Sequence, residues 1–142
     1  MSHLTLIEKA FFLKKTSLFL ELDLDLVLAI AAKAEQRLCH DEETIFSFNQ
    51  EAHRLYVILS GAVQIEDEAD RRIETLFAGD FFGDESLFNQ QTRGYNAIAK
   101  GETLLLTISR THLTEIILEC PQVGISLIRA YAMTTPFRRH SL

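Results

Sequence analysis

The residues able to do chemistry gather in one stretch, Gly79-Asp80-Phe81-Phe82-Gly83-Asp84-Glu85-Ser86-Leu87-Phe88, followed by Thr92-Arg93-Gly94-Tyr95-Asn96-Ala97. A strand that ends at Phe82 and meets Gly83 turns tightly, because glycine adopts backbone angles other residues avoid. Asp84 to Phe88 then reads as one helical turn. The first N–H groups of such a turn point outward and attract an anion. Arg93 supplies the planar, fixed charge that a phosphate prefers. Asp84 is placed to accept a hydrogen bond from a sugar hydroxyl. Together these groups suit a small phosphorylated sugar. The same residues also admit a plainer reading. A glycine turn followed by acidic residues starts many helices, and Arg93 then only balances Asp84 or Glu85 on the surface. The residue pattern by itself leaves both open.

The elements around that stretch change period twice. In the first third, Leu6, Ile7, Ala10 and Phe11 recur at helical spacing and share a face. Leu24, Val27, Leu28 and Ala31 do the same behind Asp23, a candidate N-cap. Between them, Lys14 to Leu22 reads as a connector with Leu18 and Phe19 as core anchors. From about residue 36, short segments rich in β-branched and aromatic residues take over: Ile45-Phe46, Leu55 to Leu59, Ala62 to Glu66, Ile73, Leu76-Phe77 and Phe81-Phe82. Val63 and Ile65 alternate with Gln64 and Glu66, the period of a half-buried strand. Leu104, Leu106 and Ile108 alternate in the same way with Leu105, Thr107 and Ser109. The stretches 39–43, 49–54, 60–61 and 67–70 read as turns. Ser109 caps a returning helix with Leu113, Ile116 and Ile117. Pro121 opens another with Val123, Leu127, Ala130 and Tyr131 on one face, ending before Pro136. Helices, then many short strands, then helices make an α+β chain.

Bulk properties narrow the function. The chain has 142 residues and a net charge of −6, with basic residues clustered only in pairs such as Lys14-Lys15 and Arg71-Arg72. A nucleic-acid surface needs a denser positive patch. Cys39 and Cys120 share no metal-binding spacing and fit a reducing compartment. The N-terminus lacks a signal-peptide pattern and no apolar run reaches transmembrane length. A cytoplasmic domain is expected, without membrane contact of its own.

Gly79-Asp80-Phe81-Phe82-Gly83-Asp84 resembles the phosphate-binding cassette of the cyclic nucleotide-binding domain family, written Gly-Asp-x-Phe-Gly-Glu, a small residue and Leu, then Arg-(Thr/Ser)-Ala. Upstream, Glu43-Thr44-Ile45-Phe46 and Leu55-Tyr56-Val57-Ile58-Leu59-Ser60-Gly61 are similar to its first strands. Leu13, Leu18, Phe19 and Leu22 resemble its helical entry, and Leu104 to Arg110 its last strand. The resemblance spans nearly the whole chain. It implies an antiparallel, jelly-roll-like β-roll over 36–109, with N-terminal helices over 1–35, C-terminal helices over 110–135 and a tail over 136–142. It also implies a regulatory sensor rather than an enzyme, a cyclic nucleotide as ligand and no separate cofactor. By position, the ligand-binding residues are Phe82, Gly83, Asp84, Glu85, Ser86, Leu87, Arg93, Gly94 and Tyr95. Gly83 makes the turn, Asp84 takes the ribose 2′-hydroxyl, Glu85 and Ser86 offer N–H groups to the cyclic phosphate, and Arg93 pairs with it.

The chain departs from the family pattern at four kinds of position. Asp84 is a methylene shorter than Glu. Gly94 lacks the hydroxyl that often favours guanine, so cAMP is expected to bind at least as well as cGMP. Tyr95 replaces alanine. Glu42 and Asn49 sit where turns often carry glycine. These changes keep a second reading alive, a degenerate roll that serves as a protein-interaction or structural module. A metal site of the cupin kind needs converging histidines, and His3, His40, His53, His112 and His140 are scattered singly. No nucleophile-elbow motif appears. The 33 residues after Ser109 are used by two helices, which leaves no DNA-reading module. The output is therefore expected from an effector domain or partner outside this chain.

Overall fold

The computed structural model describes residues 3–85 and 89–134. Two short helices, α1 (Leu6–Lys14) and α2 (Leu24–Ala31), lead into strands β1 (Glu35–Cys39), β2 (Thr44–Phe46), β3 (Arg54–Glu66), β4 (Arg72–Phe77), β5 (Phe81–Phe82) and β6 (Asn96–Ser109). Two helices follow, here α3 (Arg110–Glu119) and α4 (Pro121–Thr134). The strands form one antiparallel six-stranded sheet that curls into a roll, in the order β1-β6-β3-β4, with β2 also on β6 and β5 also on β3. The expected α+β β-roll is thus the fold observed. No single helix among the described residues is long and apolar enough to cross a membrane.

Strand alternation divides the interior in two. Leu55 and Val57 of β3, with Leu106 and Ile108 of β6, face the helices and meet Leu13, Phe19, Leu22, Val27, Ile30, Leu113, Val123 and Leu127. Their neighbours Tyr56, Ile58 and Leu105 turn into the roll and join Cys39, Ile45, Phe46, Val63, Ile65 and Phe82. The centre of β6 is therefore buried on both faces. Its run Leu104 to Ile108 is nearly all apolar for that reason. Leu18 and Phe19 anchor the connector as expected, and Leu22 at its end is buried with them.

Three expectations are corrected. Helix α1 does not bury the face through Leu6, Ile7 and Phe11. Ile7 is 75% exposed, and Ala10 and Leu13 carry the contact. The Thr5–Glu8 capping box fixes where the helix starts, and so which residues point inward. In α2, Leu24 is likewise exposed, and Val27, Ile30 and Ala31 are the buried residues. Asp23 stands at the N-cap without a side-chain cap bond. Ser60-Gly61 is not a turn between strands. It is a bulge inside the 13-residue β3, where the register against β6 shifts. Phe77 is 58% exposed at the end of the edge strand β4. The capping role of Ser109, whose hydroxyl accepts from His112 N–H at 3.1 Å, is as expected. The tail 136–142 lies outside the described residues.

Gly61 has φ +87°, and a Cβ there would lie 2.5 Å from the Glu102 carbonyl oxygen and 2.7 Å from Thr103 Cα. Gly94 is the opposite case, with ordinary φ and open space around its Cα. Gly61→Ala should destabilise the roll by at least about 2 kcal/mol, since the left-handed backbone and the backbone clash add. Gly94→Ala should change stability by less than about 0.5 kcal/mol. Urea denaturation of the two variants beside the parent checks the contrast, and equal effects would place the bulge wrongly.

Candidate functional site

The site forms where β5 runs out. Phe82 pairs with Tyr56 of β3, and their rings stack with centroids 5.0 Å apart. The chain then turns at Gly83 with φ +79°. A Cβ on Gly83 would lie 2.9 Å from Arg93 Nη1, 3.2 Å from the Tyr56 ring and 3.3 Å from the Arg54 carbonyl oxygen. Glycine is required here both by the backbone angle and by the approach of the arginine.

Arg93 reaches this turn from the loop before β6. Its N–H donates to the Gln50 carbonyl and its carbonyl accepts from Asn49 N–H, both at 2.8 Å. Asn49 adopts φ +71°, a value asparagine tolerates, and Glu42 takes +65° at the other turn that departs from glycine. With its backbone fixed, the Arg93 side chain passes inward. Nη1 donates to the Gly83 carbonyl and Nη2 to the Arg54 carbonyl, each at 2.6 Å. The guanidinium carbon lies 4.1 Å from the centroid of the Phe46 ring and 5.9 Å from that of Tyr56. Arg93 is only 2% exposed. Burial pulls its pKa down from the ordinary value, while the acidic and phenolic neighbours Tyr56, Tyr95, Glu85 and Asp84 pull it up. Its Nε is buried with no hydrogen-bond partner. Among the described residues it has no ion-pair partner. Arg93 is therefore not a surface residue, although Asp84 and Glu85 do act on its charge.

Asp84 follows Gly83 and is 6% exposed. The Tyr131 hydroxyl, from α4, donates to its Oδ2 at 2.5 Å. Burial pushes the carboxyl up from 3.8 to about 6, the Tyr131 hydrogen bond opposes that shift, and the charge of Glu85 adds to it. The Tyr95 hydroxyl accepts the Gly83 N–H at 2.9 Å, and its ring sits 5.4 Å from that of Phe46. Burial raises the pKa of both phenols, so they stay neutral.

Of the residues named from sequence, Phe82, Gly83, Asp84, Arg93 and Tyr95 come together in one cluster. Glu85 is exposed at its edge, and Gly94 is exposed beside Arg93. Ser86 and Leu87, with Phe88, lie outside the described residues. The sequence reading missed Tyr131 as a site residue, together with the Phe46 and Tyr56 rings and the Arg54 carbonyl around the guanidinium. Tyr131 had one usable signal, a polar tip at the end of an otherwise apolar helix face. A groove of about 510 Å³ between the connector and α4 includes none of these residues. No cluster of three or more metal-binding side chains occurs among the described residues.

The raised carboxyl of Asp84 makes a signed prediction. Its folded pKa lies above the unfolded one, so the folded state holds the proton more tightly between 3.8 and about 6. The contribution of Asp84 to stability is then greatest below that window and is lost as pH rises through about 6. A shift of this size is worth at most about 3 kcal/mol. Glu8, Glu43 and Asp67 have lowered pKa values and act in the opposite direction. The test is therefore the difference between the parent and Asp84→Asn, in which those groups cancel. Stability measured from about pH 4 to 8 should show the parent losing ground to the variant as pH rises. A difference independent of pH would mean that Asp84 is not buried as described.

Comparison with known proteins fits this geometry. The family model for the cyclic nucleotide-binding domain matches residues 36–120, from β1 through α3. A cGMP-dependent protein kinase of Caenorhabditis briggsae is 34% identical over 112 residues, covering 75% of this chain and 15% of the kinase. The chain thus spans a small part of that relative's length. Among solved structures, the catabolite activator protein of Thermus thermophilus superposes with a TM-score of 0.75 at 26% identity, over 89% of this chain and 61% of that one. The regulatory subunit of a cAMP-independent protein kinase A from Trypanosoma brucei superposes with 0.77 at 18%, over 96% and 50%. The last of these shows the fold alone. The matched span holds β1 to β6 and the Gly83–Arg93 turn, and on that ground the chain belongs to the cyclic nucleotide-binding domain family.

Proposed function

We propose that this domain is a regulatory sensor that binds a cyclic nucleotide through the cassette of Phe82, Gly83, Asp84, Glu85, Ser86, Leu87, Arg93, Gly94 and Tyr95, with cAMP favoured over cGMP. One observation carries the reading, the buried Arg93 guanidinium, which makes no ion pair among the described residues. A desolvated cation is costly unless paired and hydrogen-bonded. Arginine has five N–H donors, and among the described residues two are engaged, both with neutral carbonyls. An anion with several oxygens meets the remaining need, and a cyclic phosphate carries one negative charge of the right kind. Gly94 brings no side chain beside the arginine. A site that lacks a hydroxyl for the guanine amine cannot select guanine through it. Output passes to an effector domain or partner outside this chain, with no nucleic-acid or membrane contact by the domain itself and no catalytic step.

A second reading is favoured by a specific observation. Two polar groups of the turn, Gly83 N–H and the Asp84 carboxylate, are both held by tyrosine hydroxyls. A roll whose site is filled by its own side chains suits a protein-interaction or structural module. The two readings part on one measurement. Calorimetric titration with cAMP, cGMP and AMP should give cAMP binding at least as tight as cGMP and none with AMP. Arg93→Ala should weaken cAMP binding roughly tenfold to a few hundredfold, the loss of a charge-assisted contact. Arg93→Lys keeps the charge without the planar fork, and should also bind weakly while perturbing the fold less. No heat with any nucleotide would favour the filled roll, and unchanged affinity in a folded Arg93 variant would sink the proposed contact.

A further inference from the structure

Arg93 and Tyr95 stand on either side of Gly94, and their side chains converge on one residue, Gly83. Arg93 Nη1 donates to the Gly83 carbonyl at 2.6 Å, and the Tyr95 hydroxyl accepts the Gly83 N–H at 2.9 Å. The two bonds act on different peptide planes, the one before Gly83 and the one after it. Gly83 has φ +79°, and glycine populates many other conformations as readily. The direction of its carbonyl is therefore set from outside. The Tyr95 ring shares a platform with the guanidinium, since Phe46 lies 5.4 Å from the ring and 4.1 Å from the guanidinium carbon. Burial and the Glu85 carboxylate keep the proton on the Tyr95 oxygen, so it stays a neutral hydroxyl. An alanine, which the family pattern has here, can make neither the ring contact nor the bond.

We propose that Tyr95 is a positioning residue of the anion site, which fixes the Gly83 turn and, through the Gly83 carbonyl, the pose of Arg93. The inference rests on the proposed nucleotide-binding function. The carbonyls of Gly83 and Arg54 take one N–H from each terminal nitrogen of the guanidinium, and Nε is left without a partner. With five donors in all, the arginine is oriented by these bonds and not used up by them. A phosphate then meets a planar fork whose direction is already set, and less ordering remains to be supplied on binding. Without the Tyr95 oxygen the Gly83 N–H loses its acceptor. A donor in that position is costly, so the glycine turn relaxes toward another partner, and the carbonyl that holds Nη1 moves with it.

Tyr95→Phe tests this, because it removes the oxygen and keeps the ring against Phe46. The variant should bind cAMP about tenfold more weakly than the parent, the scale of one buried donor left without its acceptor. The Arg93 Nε–H resonance of nitrogen-15-labelled protein, assigned by its loss in Arg93→Lys, supplies a second reading that needs no ligand. In the parent it should be sharp and exchange slowly with water. In Tyr95→Phe it should shift and exchange faster. Weaker binding together with a disturbed resonance would support the inference. A variant that melts earlier yet keeps the parent's affinity and Arg93 resonance would overturn it, since the tyrosine would then be structural only. Tighter cAMP binding by the variant would also overturn it, and would make Tyr95 a plug of the kind the filled roll implies. Absence of cAMP binding in both proteins would overturn the function and the inference with it.

Discussion

The carbonyl oxygens of Gly83 and Arg54 end on the same guanidinium, and much of the site depends on that fact. Arg93 joins three pieces of chain distant in sequence: the start of β3, the turn after β5 and the loop that enters β6. Backbone bonds from Asn49 and Gln50 fix its origin, and the Phe46 ring fixes the plane of its head. A cation at this depth needs compensation. Here its direct partners are carbonyl dipoles and aromatic faces, while Asp84 and Glu85 act on it without an ion pair. Carbonyls hydrogen-bond the charge without neutralising it. The arrangement is stable enough to hold the roll together and remains electrostatically incomplete. An anion site built into a core has that character.

The aromatic residues follow from the same constraint. Phe46, Tyr56, Phe82 and Tyr95 pack with centroids 5.0 to 5.9 Å apart around the arginine. Aliphatic side chains would fill the volume but offer no negative π-face to the guanidinium. Tyr95 adds a polar tip and satisfies Gly83 N–H, a backbone donor that would otherwise be buried without a partner. Its presence where the family pattern has alanine is thus accounted for twice, by ring packing and by the hydroxyl. Asp84 belongs to the same economy of buried polar groups. Its shorter side chain keeps the carboxylate close to the turn, and the Tyr131 hydroxyl supplies its donor.

How much of this was legible in the sequence varies with the range of the interaction. The roll was legible because alternation is local. Val63, Ile65, Leu106 and Ile108 declare their faces within five-residue windows, and Ser109 and Pro121 declare helix starts. The tight turn at Gly83 was legible from its residue type, while the pattern around Arg93 left two readings open. Ser60-Gly61 misled because a glycine after a polar residue signals a turn, whereas the chain uses it to shift register within a continuous strand. That outcome depends on Glu102 and Thr103 pressing against it from β6. The faces of α1 and α2 misled because helices this short fix their phase by caps and tertiary contacts, not by apolar spacing alone. The depth of Arg93 could not be read at all. Surface and core arginines look identical until the carbonyls that receive them are placed.

The Tyr131–Asp84 bond is the least local feature and bears most on regulation. A sensor must have two arrangements of similar free energy, with the ligand preferring one. Among the described residues, the Gly83 N–H and the Asp84 carboxylate are satisfied from within the roll. The degenerate reading keeps these same two contacts and takes them as a site filled for good.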